Sequence, residues 1–268
     1  FDFIDFRDID LIKNSIKPNT KVIFSEVPSN PLLRLCDLDA VSKIASDNNI
    51  YHVCDSTFAT PVILKPINHG VDIVIQSTTK YYDGHNMTVG GAIISKNKEL
   101  NDRMHFVSNM HGNIMSPFNA FLTLQTAKTL PLRIQKQSAN ASKIASWLEN
   151  HHKVTKVVYP GLASFPQADL VKKYFSGNLY GGMLWFDVKG GDQSAIKMMN
   201  NIKRPWSLCE NLGATESIIT ACAVMTHANM LPEDRKKVGI SDGFIRISCG
   251  IEDVDDLIHA LDQALKII

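Results

Sequence analysis

Four short apolar runs constrain this chain more than anything else in it. "TKVIFSEV", "IYHVCDS", "VDIVIQS" and "VGGAIIS" are each apolar on consecutive positions, and each is followed by polar or turn residues. Runs of this kind predict strands buried on both faces, since a strand with one wet face would alternate. Between the first two lies "LDAVSKIASDNN", where Leu38, Val41, Ile44 and Ala45 fall at helical spacing. A helix between two buried strands is a crossover, and crossovers make neighbouring strands parallel. The first half therefore predicts an α/β sheet, mostly parallel.

From "SPFNAFLTLQTAKTLPLRIQKQSANASKIASWLEN" onward the pattern is helical, with Pro131 predicting a break or kink. After "YPGL", the segments "GGMLWFDVKG" and "GFIRISCG" read as strands, with Trp185 and Phe186 in the core. The final "VDDLIHALDQALKII" puts Val254, Leu257, Ile258, Leu261 and Leu265 on one helix face, with acids in the first turn. The predicted organisation is a large α/β domain over residues 1–125, a linking helix over 126–145 and a smaller α/β domain over 146–268.

Composition excludes several function classes. A formal charge of +1 with scattered Lys and Arg implies no nucleic-acid partner. No apolar run reaches membrane-spanning length. Cys36, Cys54, Cys209, Cys222 and Cys249 stand far apart without a C-x-x-C pair, which predicts reduced thiols in a cytoplasmic protein. Nine histidines carry no H-x-x-H or H-E-x-x-H spacing, so no metal site is expected. His227 in "MTHAN" reads as structural, and His85 as either near a site or packing its own loop.

Ser77-Thr78-Thr79-Lys80 belongs to two chemistries on paper. It fits the S-x-x-K signature of serine acyl-transferases, which also requires downstream S-D-N and K-T-G elements. Ser46-Asp47-Asn48 lies upstream instead, there is no K-T-G, and Asp83-Gly84 predicts a turn rather than a helix. The tetrad also fits a lysine on the lip of a strand, placed to form an imine with an aldehyde cofactor such as pyridoxal phosphate (PLP). That cofactor needs an acid for its ring nitrogen and donors for its phosphate. Asp55, ending a buried strand in "VCDST", can be the acid, and Ser77 and Thr79 can offer hydroxyls. On spacing alone, Lys80 capping a strand and Asp55 opening a turn remain equally admissible.

"SNPLLRLCDL", "VCDSTFATP", "GVDIVIQSTTKYYDGHN", "YPGLASFPQ" and "MTHANMLPEDRKKVGISDGFIRISCGIEDVDDLIHALDQAL" follow one another in this order. Together they make the chain resemble, over essentially its whole length, the PLP-dependent cystathionine γ-synthase and γ-lyase family. That family also holds cystathionine β-lyases, methionine γ-lyases and O-acylhomoserine sulfhydrylases. The resemblance implies PLP fold type I, of the aspartate aminotransferase kind. It implies Lys80 as the imine lysine, Asp55 against the pyridine nitrogen, and Ser77 and Thr79 in the phosphate cup. Asn30 is implied near the cofactor's phenolic oxygen and the substrate carboxylate, which Arg246 holds by two prongs.

The family pattern near "LCENLGATES" reads as an acid followed by serine, so Glu210 matches and Asn211 departs. An acid there suits the distal amine of cystathionine, and Asn211 puts fine substrate positioning in question. The implied partners are small amino acids (cystathionine, activated homoserine, cysteine), and the implied assembly is a homotetramer. The implied activity is γ-replacement or γ-elimination, with cystathionine β-lyase or methionine γ-lyase as the near alternative. A non-catalytic scaffold is the alternative of another class. Complete family chains are longer at the N-terminus, so an upstream part with a phosphate loop and a ring-stacking aromatic is expected.

Overall fold

The computed structural model describes residues 1–226 and 228–268; His227 lies outside the described residues. Two sheets organise the chain. The first has the order β1-β2-β3-β4, built from β1 (Val22–Glu26), β2 (Tyr51–Asp55), β3 (Ile73–Ser77) and β4 (Gly91–Ile94). β1 and β2 run parallel with Glu26 opposite Asp55, β2 and β3 run parallel, and β4 returns antiparallel with Gly91 opposite Ser77. The helix Leu38–Asp47 makes the first crossover; the Asp37 side chain caps it by accepting from the Ala40 N–H. All four residues of its predicted face are buried.

β2 is covered as expected, but β1 alternates, and Val22 and Phe24 face outward on the sheet's open edge. β4 is also largely exposed. Both are edge strands, and no described element covers their outer faces.

The predicted helical stretch breaks at Lys128-Thr129, and Pro131 sits in the first turn of the helix Leu130–Glu149, where its missing N–H costs nothing. The second sheet has the order β5-β6-β9-β8-β7. Its strands are β5 (Val154–Val158), β6 (Met183–Val188), β7 (Ser207–Leu208), β8 (Ile218–Ala221) and β9 (Phe244–Ser248). Every pairing is antiparallel except β7 with β8.

β6 and β9 are buried on both faces and alternate between two cores. Leu184, Phe186, Ile245 and Ile247 pack with the helix Val254–Leu265, whereas Met183, Trp185 and Phe244 pack against the first sheet's core. Side chains two apart share a face, so Arg246 and Ser248 point the same way as Phe244. The alternation of one strand thus aims a guanidinium at the first sheet. Among the described residues no helix is long and apolar enough to cross a membrane.

Candidate active site

The three parallel strands all end at one edge of the first sheet, and their last residues are Glu26, Asp55 and Ser77. Open α/β sheets bind ligands beyond such carboxyl ends. The Ser77 N–H donates to Thr57 Oγ1 at 2.8 Å, and the Thr57 N–H donates to Asp55 Oδ1 at 2.8 Å. Thr57 therefore ties two of the expected site residues together. Glu26 lies beside Asp55, and its carboxylate accepts from the Asn30 N–H. Its carboxyl is raised above the ordinary carboxylate range, first by the protein crowded around it and then by the Asp55 charge.

Beyond Ser77 the chain makes one wide turn, Thr78–Tyr82, and Lys80 leaves the helical path within it at φ −97°, ψ −121°. That departure turns the half-buried lysine toward the second sheet, where Lys80 Nζ donates to Asn211 Oδ1 at 2.7 Å. Burial holds the amine below the ordinary lysine range; the charge of Arg246 pushes the same way and Cys209 opposes it.

Arg246 is 3% exposed. It donates from Nη1 to Asn30 Oδ1 at 2.9 Å and from Nη2 to the carbonyl oxygens of Glu210 and Asn211 at 3.0 and 3.4 Å. These partners are neutral oxygens. A buried guanidinium among neutral oxygens is a place for an anion, and its planar fork matches a carboxylate.

Lys80, Asn211, Arg246, Asn30 and the Glu210 backbone thus meet at one cleft, with Asp55 and Ser77 joined to it through Thr57, Glu26 and Asn30. Two expected residues stand differently from expectation. The Glu210 side chain is exposed and only its carbonyl reaches the cleft. The Thr79 hydroxyl accepts from the Gly90 N–H at 3.0 Å and donates to the Gly90 carbonyl at 3.3 Å, so the residue just before β4 engages it. The neighbouring Thr78 Oγ1 is buried without a hydrogen-bond partner. His85 is exposed and bonds within its own loop, to Asp83. Ser46-Asp47-Asn48 lies at the end of the helix Leu38–Asp47, away from the tetrad.

Thr57, Glu26, Asn86 and Gly213 were not singled out from sequence as site residues. Thr57 carries a local signal, a hydroxyl residue two positions after a strand-end Asp. Gly213 carries none. It sits at φ +80°, and a side-chain carbon there would fall 2.8 Å from the Tyr81 nitrogen.

The donor set fits pyridoxal phosphate. An amine is present for its aldehyde, a strand-end carboxylate for its ring nitrogen, the half-buried Ser77 and Thr79 beside the lysine for its phosphate, and a guanidinium for the carboxylate of an amino acid. No group of three or more His, Cys, Asp or Glu side chains suited to a metal ion occurs among the described residues.

Comparison with known proteins agrees with this chemistry. The profile of the family described as "Cys/Met metabolism PLP-dependent enzyme" matches residues 1–266. A cystathionine β-lyase of Coxiella burnetii is 41% identical over 266 residues, covering 99% of this chain and 68% of the relative. A cystathionine γ-lyase of Bacillus subtilis is 41% identical over 264 residues, covering 98% and 69%. The crystal structure of cystathionine γ-lyase from Lactobacillus plantarum complexed with L-serine superposes with a TM-score of 0.93 at 35% identity, over 99% of this chain and 68% of that one. Agreement in profile, in sequence and in backbone course over almost every residue places this chain in the family of PLP-dependent enzymes of cysteine and methionine metabolism.

Proposed function

We propose that the chain acts on cystathionine or an activated homoserine, by γ-elimination or γ-replacement. The observation that carries this reading is the buried Arg246 fork, held by Asn30 and close enough to Lys80 for its charge to act on the amine. In it Arg246 and Asn30 hold the α-carboxylate of an amino acid, with Cα toward the lysine. Lys80 would hold the cofactor through its Nζ, and the same atom would take up the Cα proton and return it. Its depressed proton affinity suits that work, because a neutral amine is available nearer neutral pH than for a free lysine. Asp55 would face the ring nitrogen, and Ser77 with Thr79 the phosphate. Thr79 would exchange its bond to the Gly90 carbonyl for one to phosphate. The Glu210 and Asn211 carbonyls brace Arg246 from behind, and the exposed Glu210 carboxylate is the group left to meet a distal amine. Bound PLP supplies the electron-withdrawing ring that makes loss of the Cα proton feasible.

The β-lyase and the γ-lyase above are equally similar to this chain, so β-cleavage of cystathionine is the second reading. An L-methionine γ-lyase of Fusobacterium nucleatum, at 39% identity, supports a third substrate, methionine.

The same reading divides the chain at 1–125, 126–145 and 146–268, supported by the two sheets, β1–β4 before the division and β5–β9 after it. A homotetramer is supported by the outward apolar row Phe106, Met110, Phe118, Phe121 and Leu124 on the helices Lys98–His111 and Pro117–Ala127. A cytoplasmic setting is supported by five unpaired thiols.

Borohydride reduction of the PLP-treated protein followed by peptide mapping is the test. A pyridoxyl mass on Lys80 is the expected result; a mass on another lysine would sink the assignment. Product analysis with cystathionine then separates the readings. Cysteine with a four-carbon keto acid marks γ-cleavage, and homocysteine with a three-carbon keto acid marks β-cleavage.

A further inference from the structure

Lys80 Nζ is the end of a line of hydrogen bonds. It donates to Asn211 Oδ1 at 2.7 Å, Asn211 Nδ2 donates to Asn86 Oδ1 at 2.6 Å, and Asn86 Nδ2 donates to Glu216 Oε2 at 3.4 Å. The last acceptor also receives the Thr215 hydroxyl at 3.2 Å. A carboxylate can only accept, so the Asn86 amide must turn its NH₂ toward Glu216 and its oxygen toward Asn211. Asn211 must then turn its own NH₂ toward Asn86 and its oxygen toward Lys80. Flipping either amide would set oxygen against oxygen at one contact and donor against donor at another. The polarity of an exposed carboxylate is thereby carried through two amides to the lysine.

We infer that Asn86 and Asn211 are positioning residues that hold the Lys80 amine against a fixed acceptor and so favour its protonated form. A serine, the residue that the family resemblance leads one to expect at 211, can either donate or accept, and would serve a neutral amine as well as an ammonium. Asn211, pinned from behind by Asn86, can serve only a donor. Asn86 stands at φ +56°, a backbone region in which Asn and Asp are the common non-glycine residues. The relay joins the loop that follows the lysine to the loop that precedes β8, so it also clasps the two halves of the cleft.

The charged and titratable groups facing Lys80 are Arg246 from β9, which disfavours the ammonium, and Cys209, which favours it. The relay acts against the first of these. Its functional meaning rests on Lys80 being the cofactor lysine, but its existence does not.

The test reads the amine without cofactor. The cofactor-free chain is acetylated with trace acetic anhydride across a pH series, and the Lys80 peptide is quantified by mass spectrometry. In Asn86→Ala the midpoint of reactivity is expected to move down by about one pH unit, the scale of one hydrogen bond to a charged group. Asn86→Asp keeps the acceptor and should leave the midpoint at or above the original. Glu216→Ala, at an exposed position, should move it down as well, and serves if Asn86→Ala does not fold. An unmoved or raised midpoint in the folded Asn86→Ala protein, or in Glu216→Ala where it takes that place, overturns the inference, and so does Asn86→Asp behaving like Asn86→Ala. A midpoint shift together with a pyridoxyl label elsewhere than Lys80 would leave the relay standing and remove the cofactor assignment.

Discussion

Gly213 shows how little room one residue can have. Its missing side chain would also lie 3.1 Å from the Lys80 carbonyl carbon, so a β-carbon there has to push the lysine's own backbone. Its amide is fixed as well, donating to Ser248 Oγ at 2.7 Å on β9. Gly213→Ala is expected to lower cofactor-dependent turnover about a hundredfold, the cost of moving a reacting group by about an ångström. Steady-state kinetics beside a PLP titration would check it, and unchanged turnover would show the contact to be slack. At this scale the sequence told half the story. Lys80, Asp55 and Ser77 follow apolar strands and could be picked out by position. Gly213 and Asn86 meet their partners across about half the chain, and no local pattern announces such a meeting.

The turn that carries Lys80 is held by an element far from it in sequence. Arg133, on the helix Leu130–Glu149, donates from Nη1 to the Tyr81 carbonyl at 2.6 Å and from Nη2 to those of Tyr82 and Thr126 at 3.2 and 3.0 Å. Replacing it with Met would take the donor from the Tyr81 carbonyl, while the Tyr82 carbonyl keeps the Thr126 hydroxyl and the Thr126 carbonyl keeps the Thr129 N–H and hydroxyl. Arg133→Met should destabilise the fold by about 2–3 kcal/mol, visible as a lower thermal midpoint. A second device joins β1, β2 and the helix Leu38–Asp47. The fully buried His52 ring lies between Ser25 Oγ and Ser42 Oγ, each 2.8 Å from a ring nitrogen.

Burial drives the His52 proton affinity down, from 6.5 to about 4. As pH falls the unfolded chain takes up this proton before the folded one. The His52 contribution to stability is therefore complete above pH 6.5 and is lost between there and about 4, by roughly 3 kcal/mol. The raised Glu26 carboxyl works the other way over the same range, which is why the comparison with His52→Gln isolates the histidine. Urea unfolding of the parent and of His52→Gln at the two ends of that window should show the loss as the difference between them. The parallel half of the fold was legible because each crossover is local. β7 and β8 were not, being two and four residues long, and the β5-β6-β9-β8-β7 order rests on contacts that no single segment encodes.

For the molecule as a whole, the cleft is a seam between two sheets, and the surface is unevenly finished. Phe118, Phe121 and Leu124 are 68%, 56% and 66% exposed along one helix. Apolar rows of this size belong against something. The double variant Phe121→Glu, Leu124→Glu should sediment as a smaller species than the parent, and an unchanged sedimentation coefficient would place the subunit contact elsewhere. Sequence periodicity marked the stretch as helical, yet could not say which face would lie outside, since that depends on what the rest of the molecule covers.

Trp185 spans the seam. Its ring stacks on Phe244 at 4.5 Å between centroids, and its Nε1–H reaches the Leu32 carbonyl at 3.1 Å, two residues beyond Asn30. An indole in that position is a built-in optical gauge. When the loop that steadies the guanidinium loosens, the indole loses its acceptor and meets water, and its emission shifts to the red. With Trp147 and Trp206 replaced by Phe, light alone would tell when the two halves part.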